Sequence, residues 1–250
     1  MKVIFFGTSQ FAVKALERLM DSSHDVLAVV TQPDRPKGRA LKLMPTPLKE
    51  AAIKHGIADI YQPEILDNDF CNTLKHYDAD LFVVISYGHI LKQCILNVPK
   101  YYSINIHASL LPKYRGASPI NQSIIDGQTL TGVTAIKMNE KMDQGDILGK
   151  IETKIGLHED ALSLAERLAD IGANLLIETM DAIEKNNVIP KPQDQSEATY
   201  VKKMKKEDGL IDWKKDAVSI NNLIRGVVPW PGAYTSFSNK ILKIWKTEFI

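Results

Sequence analysis

The sequence predicts an α/β fold: a Rossmann-like, largely parallel sheet with helices on both faces. Two observations carry this expectation. Apolar runs at residues 3–6, 26–30, 81–85 and 103–106 are short, rich in Val, Ile and Phe, and mostly unbroken, as strands buried on both faces are. Segments of helical periodicity lie between them, and strand–helix alternation implies parallel neighbours joined by crossovers. A change of composition at Val188 then divides the chain into a catalytic-sized domain (1–188), a linker (189–204) and the start of a small C-terminal unit (205–250).

The elements follow in order. Residues 3–6 form a first buried strand, and Gly7-Thr8-Ser9-Gln10-Phe11 turns into a helix over 11–20 with Ala12, Ala15, Leu16 and Leu19 on its apolar face. This is where a dinucleotide fingerprint would sit, but Gly7 is its only glycine, so a tight strand–helix turn is the better reading. The loop 31–47 is long for a strand–helix connection, for which about two to six residues is usual. Residues 48–55, closed by Gly56, and 68–77 read as helices. Ser118 reads as an N-cap with Pro119 at the first helical position, and Gly127 as that helix's stop. Residues 131–138 and 147–153 read as strands, and 161–183 as the longest helix, with Leu164, Leu168, Ile171 and Leu175 as its buried stripe.

The polar stretch 189–199 carries two prolines and no periodicity, as a linker does. Beyond it come Asp212-Trp213, a helical pattern through Ile220, Leu223 and Ile224, and Pro229-Trp230-Pro231-Gly232. Strands at 234–237 and 241–245 then form a hairpin across Ser238-Asn239-Lys240. A lone two-stranded hairpin is marginal, so this unit must lean on its surroundings.

Composition narrows the class. The chain has 250 residues, and 31 Lys and Arg against 30 Asp and Glu leave a charge of +1. That argues against a protein coated in positive charge but not against a local nucleic-acid patch. Cys71 and Cys94 have neither disulfide-scaffold nor metal spacing and read as reduced thiols of a cytoplasmic protein. No segment reads as a signal peptide or a membrane span. Nothing calls for more than a monomer.

The chemistry gathers at Ser103 to Gly116. Asn105 and His107 stand two apart on a strand, so they share a face at its carboxyl end, where open α/β sheets form ligand crevices. Met142-Asp143-Gln144-Gly145-Asp146 offers a carboxylate on a turn. An amide donor, a proton carrier and a group that sets the imidazole tautomer suit acyl transfer. A Ser-His-Asp hydrolase fits poorly, because Ser109 has no nucleophile elbow. Zinc fits poorly too, because no second His or Cys stands at ligand spacing, and no metal is expected. Arg35, Lys37, Arg39 and Lys42 make the loop 31–47 basic, as contact with a polyanion requires. Lys202, Lys203, Lys205 and Lys206 form a second basic cluster that reads as solubilising surface.

Ser103-Ile-Asn-Ile-His-Ala-Ser-Leu-Leu-Pro-Lys-Tyr-Arg-Gly, followed by Met142-Asp-Gln-Gly-Asp, resembles the signature of enzymes that transfer formyl from 10-formyltetrahydrofolate. Thr31-Gln-Pro-Asp-Arg-Pro-Lys-Gly-Arg with Leu43-Met-Pro-Thr-Pro is similar to the inserted loop of the methionyl-tRNA formyltransferase family. Gly7-Thr8, Asp212-Trp213 and Trp230-Pro231-Gly232 agree, so the resemblance runs from residue 2 to about 246.

It implies a catalytic trio of Asn105, His107 and Asp143. It implies a folate site lined by Ser109, Leu110, Leu111 and Pro112, with the backbone of Tyr87, Gly88, Ile90 and Leu91 facing the pterin. It implies contact of Arg35, Lys37, Arg39 and Lys42 with initiator methionyl-tRNA, in the service of translation initiation. The C-terminal unit would open a β-barrel-like (OB-like) domain, of which 205–250 supply the first helix and hairpin. Three other readings stay open: an amino-sugar nucleotide or other small amine as acceptor, a formyltetrahydrofolate hydrolase, and a non-catalytic folate-binding module.

Overall fold

The computed structural model describes residues 1–37 and 42–248. Its first elements are β1 (Lys2–Gly7), α1 (Gln10–Met20), β2 (Asp25–Val30), β3 (Arg35–Lys37), β4 (Lys42–Met44), α2 (Pro47–Lys54) and β5 (Ile60–Tyr61). There follow α3 (Asn68–Lys75), β6 (Leu81–Ile85), α4 (Gln93–Leu96), β7 (Tyr102–His107), β8 (Arg115–Gly116) and α5 (Pro119–Ile125). The chain continues through β9 (Leu130–Lys137), β10 (Asp146–Lys154), α6 (Ala161–Glu184), β11 (Tyr200–Val201), α7 (Ala217–Gly226), β12 (Ala233–Phe237) and β13 (Lys240–Ile244).

The chain folds as two compact units, both discontinuous in sequence. The first comprises Met1–His107, Thr134–Lys150 and Ala169–Gln193; the second comprises Ala108–Val133, Ile151–Leu168 and Asp194–Ile250.

Seven strands pair in the order β10-β9-β7-β6-β1-β2-β5. The apolar runs sit at the middle of this sheet, as two-sided burial requires: β1 is parallel to β2 and to β6, and β6 is parallel to β7. Val3, Ile4, Phe5 and Phe6 are fully buried, each contributing about 1.5–3 kcal/mol of burial free energy. On one face Phe6 packs against Phe82 at 5.2 Å between ring centres and against Tyr87 at 5.5 Å. Beyond β7 the sheet changes sense, since β7 and β9 are antiparallel. Gly7 is held by space: a Cβ there would come within 2.8 Å of the Ala12 Cβ and 2.9 Å of the Ile85 carbonyl. The tight-turn reading of residues 7–11 therefore stands.

In the second unit α5 packs on α7, with Asn121 Nδ2 donating to the Gly226 carbonyl at 2.8 Å. Ile211, Ile224, Val227 and Ala233 form a small core with Ile125, Met204 and Ile244. The β12–β13 hairpin closes through Ser238 and Asn239, both at positive φ (47° and 60°). Those values match a type I′ turn, whose twist suits a two-residue hairpin.

Several expectations are corrected. Ser118 does not cap α5 with its side chain; its hydroxyl accepts from the Met204 N–H at 3.2 Å, while Pro119 takes the first helical position as expected. The loop 31–47 contains a hairpin, β3 with β4. The polar stretch after Val188 is ordered: Lys191 bridges to Ile147, a 3-10 turn covers Gln195–Glu197, and β11 pairs in parallel with β8. On α6, Leu164, Leu168 and Leu175 are buried as the stripe requires, whereas Ile171 is half-buried.

One ion pair in the second unit gives a pH test. Arg167 grips Glu159 with two bonds, Nε to Oε1 at 2.9 Å and Nη2 to Oε2 at 2.8 Å. Burial pushes the Glu159 carboxyl up, but hydrogen bonds from Arg167 and the Gly156 N–H outweigh it and hold its pKa below the ordinary value. A depressed folded-state pKa contributes stability above the unfolded pKa of about 4.3, lost as pH falls through the folded value. Tm measured against pH should therefore lose part of its acid limb in Glu159→Gln; an unaltered slope below pH 4.5 would remove this pair from the acid transition.

Candidate functional site

The site grows from the carboxyl end of β7. Along this strand Ile104 and Ile106 point into the core, fully or nearly fully buried. Asn105 and His107 alternate with them and share the opposite face, Asn105 half-buried and His107 buried. Asn105 lies across from Val84 on one side and Ile136 on the other, and His107 lies across from Thr134. A central strand flanked on both sides fixes both side chains from the backbone outward.

Asp143 comes from the turn between β9 and β10, with φ of 54°. Two features shape that turn. A Cβ on Gly145 would run into the Lys137 carbonyl oxygen, so the close approach needs glycine. Gln193, buried at the end of the first unit, donates through Nε2 to the carbonyls of Asp143 at 2.8 Å and Gly145 at 2.7 Å. The turn thus presents one carboxylate oxygen to both β7 side chains: Asp143 Oδ1 is 3.6 Å from His107 Nδ1 and 3.4 Å from Asn105 Nδ2. Both are long contacts, as catalytic hydrogen bonds often are before substrate tightens them. A carboxylate at Nδ1 draws the imidazole proton to that nitrogen and makes Nε2 the basic one.

Tyr87, Gly88, Ile90 and Leu91 follow β6, the parallel neighbour of β7, so they leave the same edge of the sheet. The Thr8 hydroxyl donates to the Tyr87 carbonyl at 3.0 Å and ties this loop to the β1–α1 turn. The Tyr87 ring is buried, and burial pushes its phenol up to about 12, so it stays protonated. Gly88 has φ of 92°, Ile90 is exposed and Leu91 is buried. Ser109, Leu110, Leu111 and Pro112 belong to the second unit. There Ser109 is buried and its hydroxyl donates to the Lys113 carbonyl at 2.7 Å; Leu111 and Pro112 are buried and Leu110 half-buried.

In the basic segment, Arg35 on β3 pairs with Glu64 at 3.1 Å, Lys37 ends β3, and Lys42 is exposed on β4. Arg39 lies outside the described residues. Gln193 was not legible as part of the site, because a lone Gln in a polar segment carries no local signal.

Among the described residues one group has ligand atoms close enough to hold a metal ion: His24, Asp181 and Glu184. It includes none of the trio. His24 Nε2 stands 3.2 Å from Asp181 Oδ1, and Nδ1 stands 3.1 Å from the Met1 amine. Also among the described residues, no helix is long and apolar enough to cross a membrane.

The formyl transferase family model matches residues 1–180, and the model of its C-terminal domain matches residues 203–250. The methionyl-tRNA formyltransferase of Lachnospira eligens is 46% identical over 248 residues, covering 99% of this chain and 79% of the relative. That of Alkaliphilus oremlandii is 47% identical over 251 residues, covering 100% and 81%. Among solved structures, a 4-N formyltransferase from Francisella tularensis superposes with a TM-score of 0.76 at 19% identity, covering 100% of this chain and 98% of that one. The sugar 3N-formyl transferase WlaRD, solved in the presence of dTDP and 5-N-formyl-THF, does so at 0.73 with 21% identity, covering 98% and 85%. At those identities the likeness is one of fold.

Proposed function

Because the chain belongs to the formyl transferase family, and within it to the methionyl-tRNA formyltransferases, we propose that it moves the formyl group of 10-formyltetrahydrofolate to the α-amine of initiator methionyl-tRNA. The observation that carries this is the convergence of Asn105, His107 and Asp143 on one carboxylate oxygen. We place the reaction in the cytoplasm, where charged tRNA is made and used.

The donor set fits a formyl group. An amide N–H and an imidazole are neutral, directional partners for an acyl carbon that becomes tetrahedral. Bound folate supplies a formyl group on a weakly basic aryl nitrogen, which leaves readily. By the family resemblance, Ser109, Leu110, Leu111 and Pro112 of the second unit are candidates to bind folate, as is, in the first unit, the backbone of Tyr87, Gly88, Ile90 and Leu91. Asn105 donates to the developing oxyanion, and such a donor is worth about 3–4 kcal/mol in the transition state. His107 takes a proton from the attacking nitrogen at Nε2 or returns one to the leaving nitrogen. Asp143 holds the tautomer and stabilises the imidazolium. An ordinary α-amine has a pKa of about 7.7–8.0, and the neighbouring ester of methionyl-tRNA lowers it, so the attacking nitrogen needs little help to be neutral.

The test is side-by-side transfer from 10-formyltetrahydrofolate to charged initiator tRNA and to an amino-sugar nucleotide, with formate release measured without acceptor. Faster transfer to the sugar, or formate release alone, would overturn the assignment.

Two further outcomes follow from this reading. Gln193→Leu leaves two turn carbonyls without this donor and should lower kcat about ten- to a hundredfold with KM little changed, since each lost hydrogen bond is worth about 0.5–1.5 kcal/mol. Steady-state kinetics decide it, and a change confined to KM would contradict a role in holding Asp143. Arg39→Ala should weaken binding of tRNA and reduce the slope of log K against log salt by about one. Equal slopes for the two proteins would remove Arg39 from the contact.

A further inference from the structure

We propose that the first unit binds one zinc-class divalent cation between His24, Asp181 and Glu184, away from the catalytic trio. The ligand atoms of these three residues lie within 4.8 Å of one another. His24 comes from the turn before β2, and both acids come from the last turn of α6. Because the ligands are far apart in the chain, local spacing gave no expectation of a metal here.

The imidazole is the observation that calls for an ion. His24 is 5% exposed and its side chain is wholly buried. Its N–H donates to Ser22 Oγ at 3.2 Å, and its Nδ1 stands 3.1 Å from the Met1 amine, which leaves Nε2 as the ring's unused edge. Nε2 is buried and has no hydrogen-bond partner. It faces Asp181 Oδ1 at 3.2 Å, in a geometry that makes no hydrogen bond. Buried polar side-chain atoms are ordinarily paired. Two ligands of one zinc ion, each about 2.0–2.1 Å from it, stand about 3.3 Å apart in a tetrahedron, and the Nε2 to Oδ1 separation matches that spacing.

The carboxylates call for a cation as well. Asp181 and Glu184 are three apart on α6 and so share a face. The last turn of this helix holds both acids and no basic side chain, at the end where the helix dipole disfavours negative charge. The Met1 amine, 3.5 Å from Glu184 Oε1, offsets part of that charge. The Asp181 and Glu184 side chains are 46% and 52% exposed, so an ion can enter from solvent and keep a water in the fourth position. One imidazole nitrogen and two carboxylate oxygens suit zinc, whereas calcium and magnesium favour about six or more oxygens.

The location sets the role. Met1 and His24 precede β1 and β2, whereas Asn105 and His107 lie at the carboxyl end of β7, and β2, β1, β6 and β7 are parallel neighbours. A six-residue strand spans about 20 Å. The ion therefore fastens the end of α6 to the start of the sheet and stays clear of the reacting groups.

The experiment is calorimetric titration of chelator-treated protein with zinc chloride alone, paired with thermal melts, on the parent, His24→Gln, Asp181→Asn, Glu184→Gln and Cys94→Ser. The parent should take up one zinc per chain at micromolar concentration, and its Tm should rise with zinc. Each ligand variant should bind at least about tenfold more weakly, since loss of even an outer-shell partner costs about 10–100-fold, and should lose the zinc-dependent rise in Tm. Cys94→Ser should behave as the parent. The two acids are half exposed, so their variants decide the matter even where His24→Gln fails to fold. No uptake by the parent, equal uptake in parent, Asp181→Asn and Glu184→Gln, or uptake lost in Cys94→Ser overturns the site.

Discussion

Asp143→Asn is expected to lower kcat for formyl transfer by about three orders of magnitude, with little loss of folded protein. The fold should survive because the bonds that hold this turn do not use the Asp143 side chain: Gln193 donates to the main-chain carbonyls of Asp143 and Gly145. Asparagine also tolerates the positive φ at this position. The chemistry should not survive. The carboxylate oxygen faces His107 Nδ1, and an amide presenting N–H there would demand the other tautomer, putting the proton on the nitrogen that must act as base. In a serine protease triad the same exchange costs about 10⁴ in kcat. The longer contact here, 3.6 Å, argues for a somewhat smaller figure. Steady-state rates across pH 6–9 test this. Turnover within tenfold of the parent throughout that range would show that Asp143 does not set the His107 tautomer.

Asn105→Ala should lower kcat about 10²- to 10³-fold, the typical cost of removing one oxyanion donor. Affinity for 10-formyltetrahydrofolate should change little, because the interaction strengthens only as the carbonyl oxygen gains charge. Asn105 lies on a central strand with its side chain on the site face, so truncation leaves the hydrophobic core intact. Rates and folate binding measured on the same preparation separate the alternatives. A rate within a few-fold of the parent, or a folate affinity that falls as far as the rate, would end the oxyanion assignment.

Much of this site was readable from the chain because its parts are local. Asn105 and His107 are two residues apart on a strong strand, and strand periodicity alone puts them on one face. Asp143 sits beside a glycine that the close approach to β9 demands. The central strands and α6 were legible for the same reason: long apolar patterns leave few alternatives. What escaped was short or non-local. The helix Gln93–Leu96 and the strand Ile60–Tyr61 are too brief to show a period. The β3–β4 hairpin was masked by proline and charge, the marks of a loop. Ser118 has the sequence of an N-cap, but the Met204 N–H, eighty-six residues away, claims its hydroxyl. Gln193 and His24 act through partners far along the chain, and no window of sequence contains those pairs.

The position of Gln193 also bears on synthesis. The first unit is assembled from three stretches, the last ending at this residue. A ribosome therefore releases His107 and Asp143 well before the side chain that braces the carboxylate's turn. Nascent chains stopped short of it would carry Asn105, His107 and Asp143 without the side chain that braces the Asp143 turn, so full activity during translation should appear only after residue 193 has emerged.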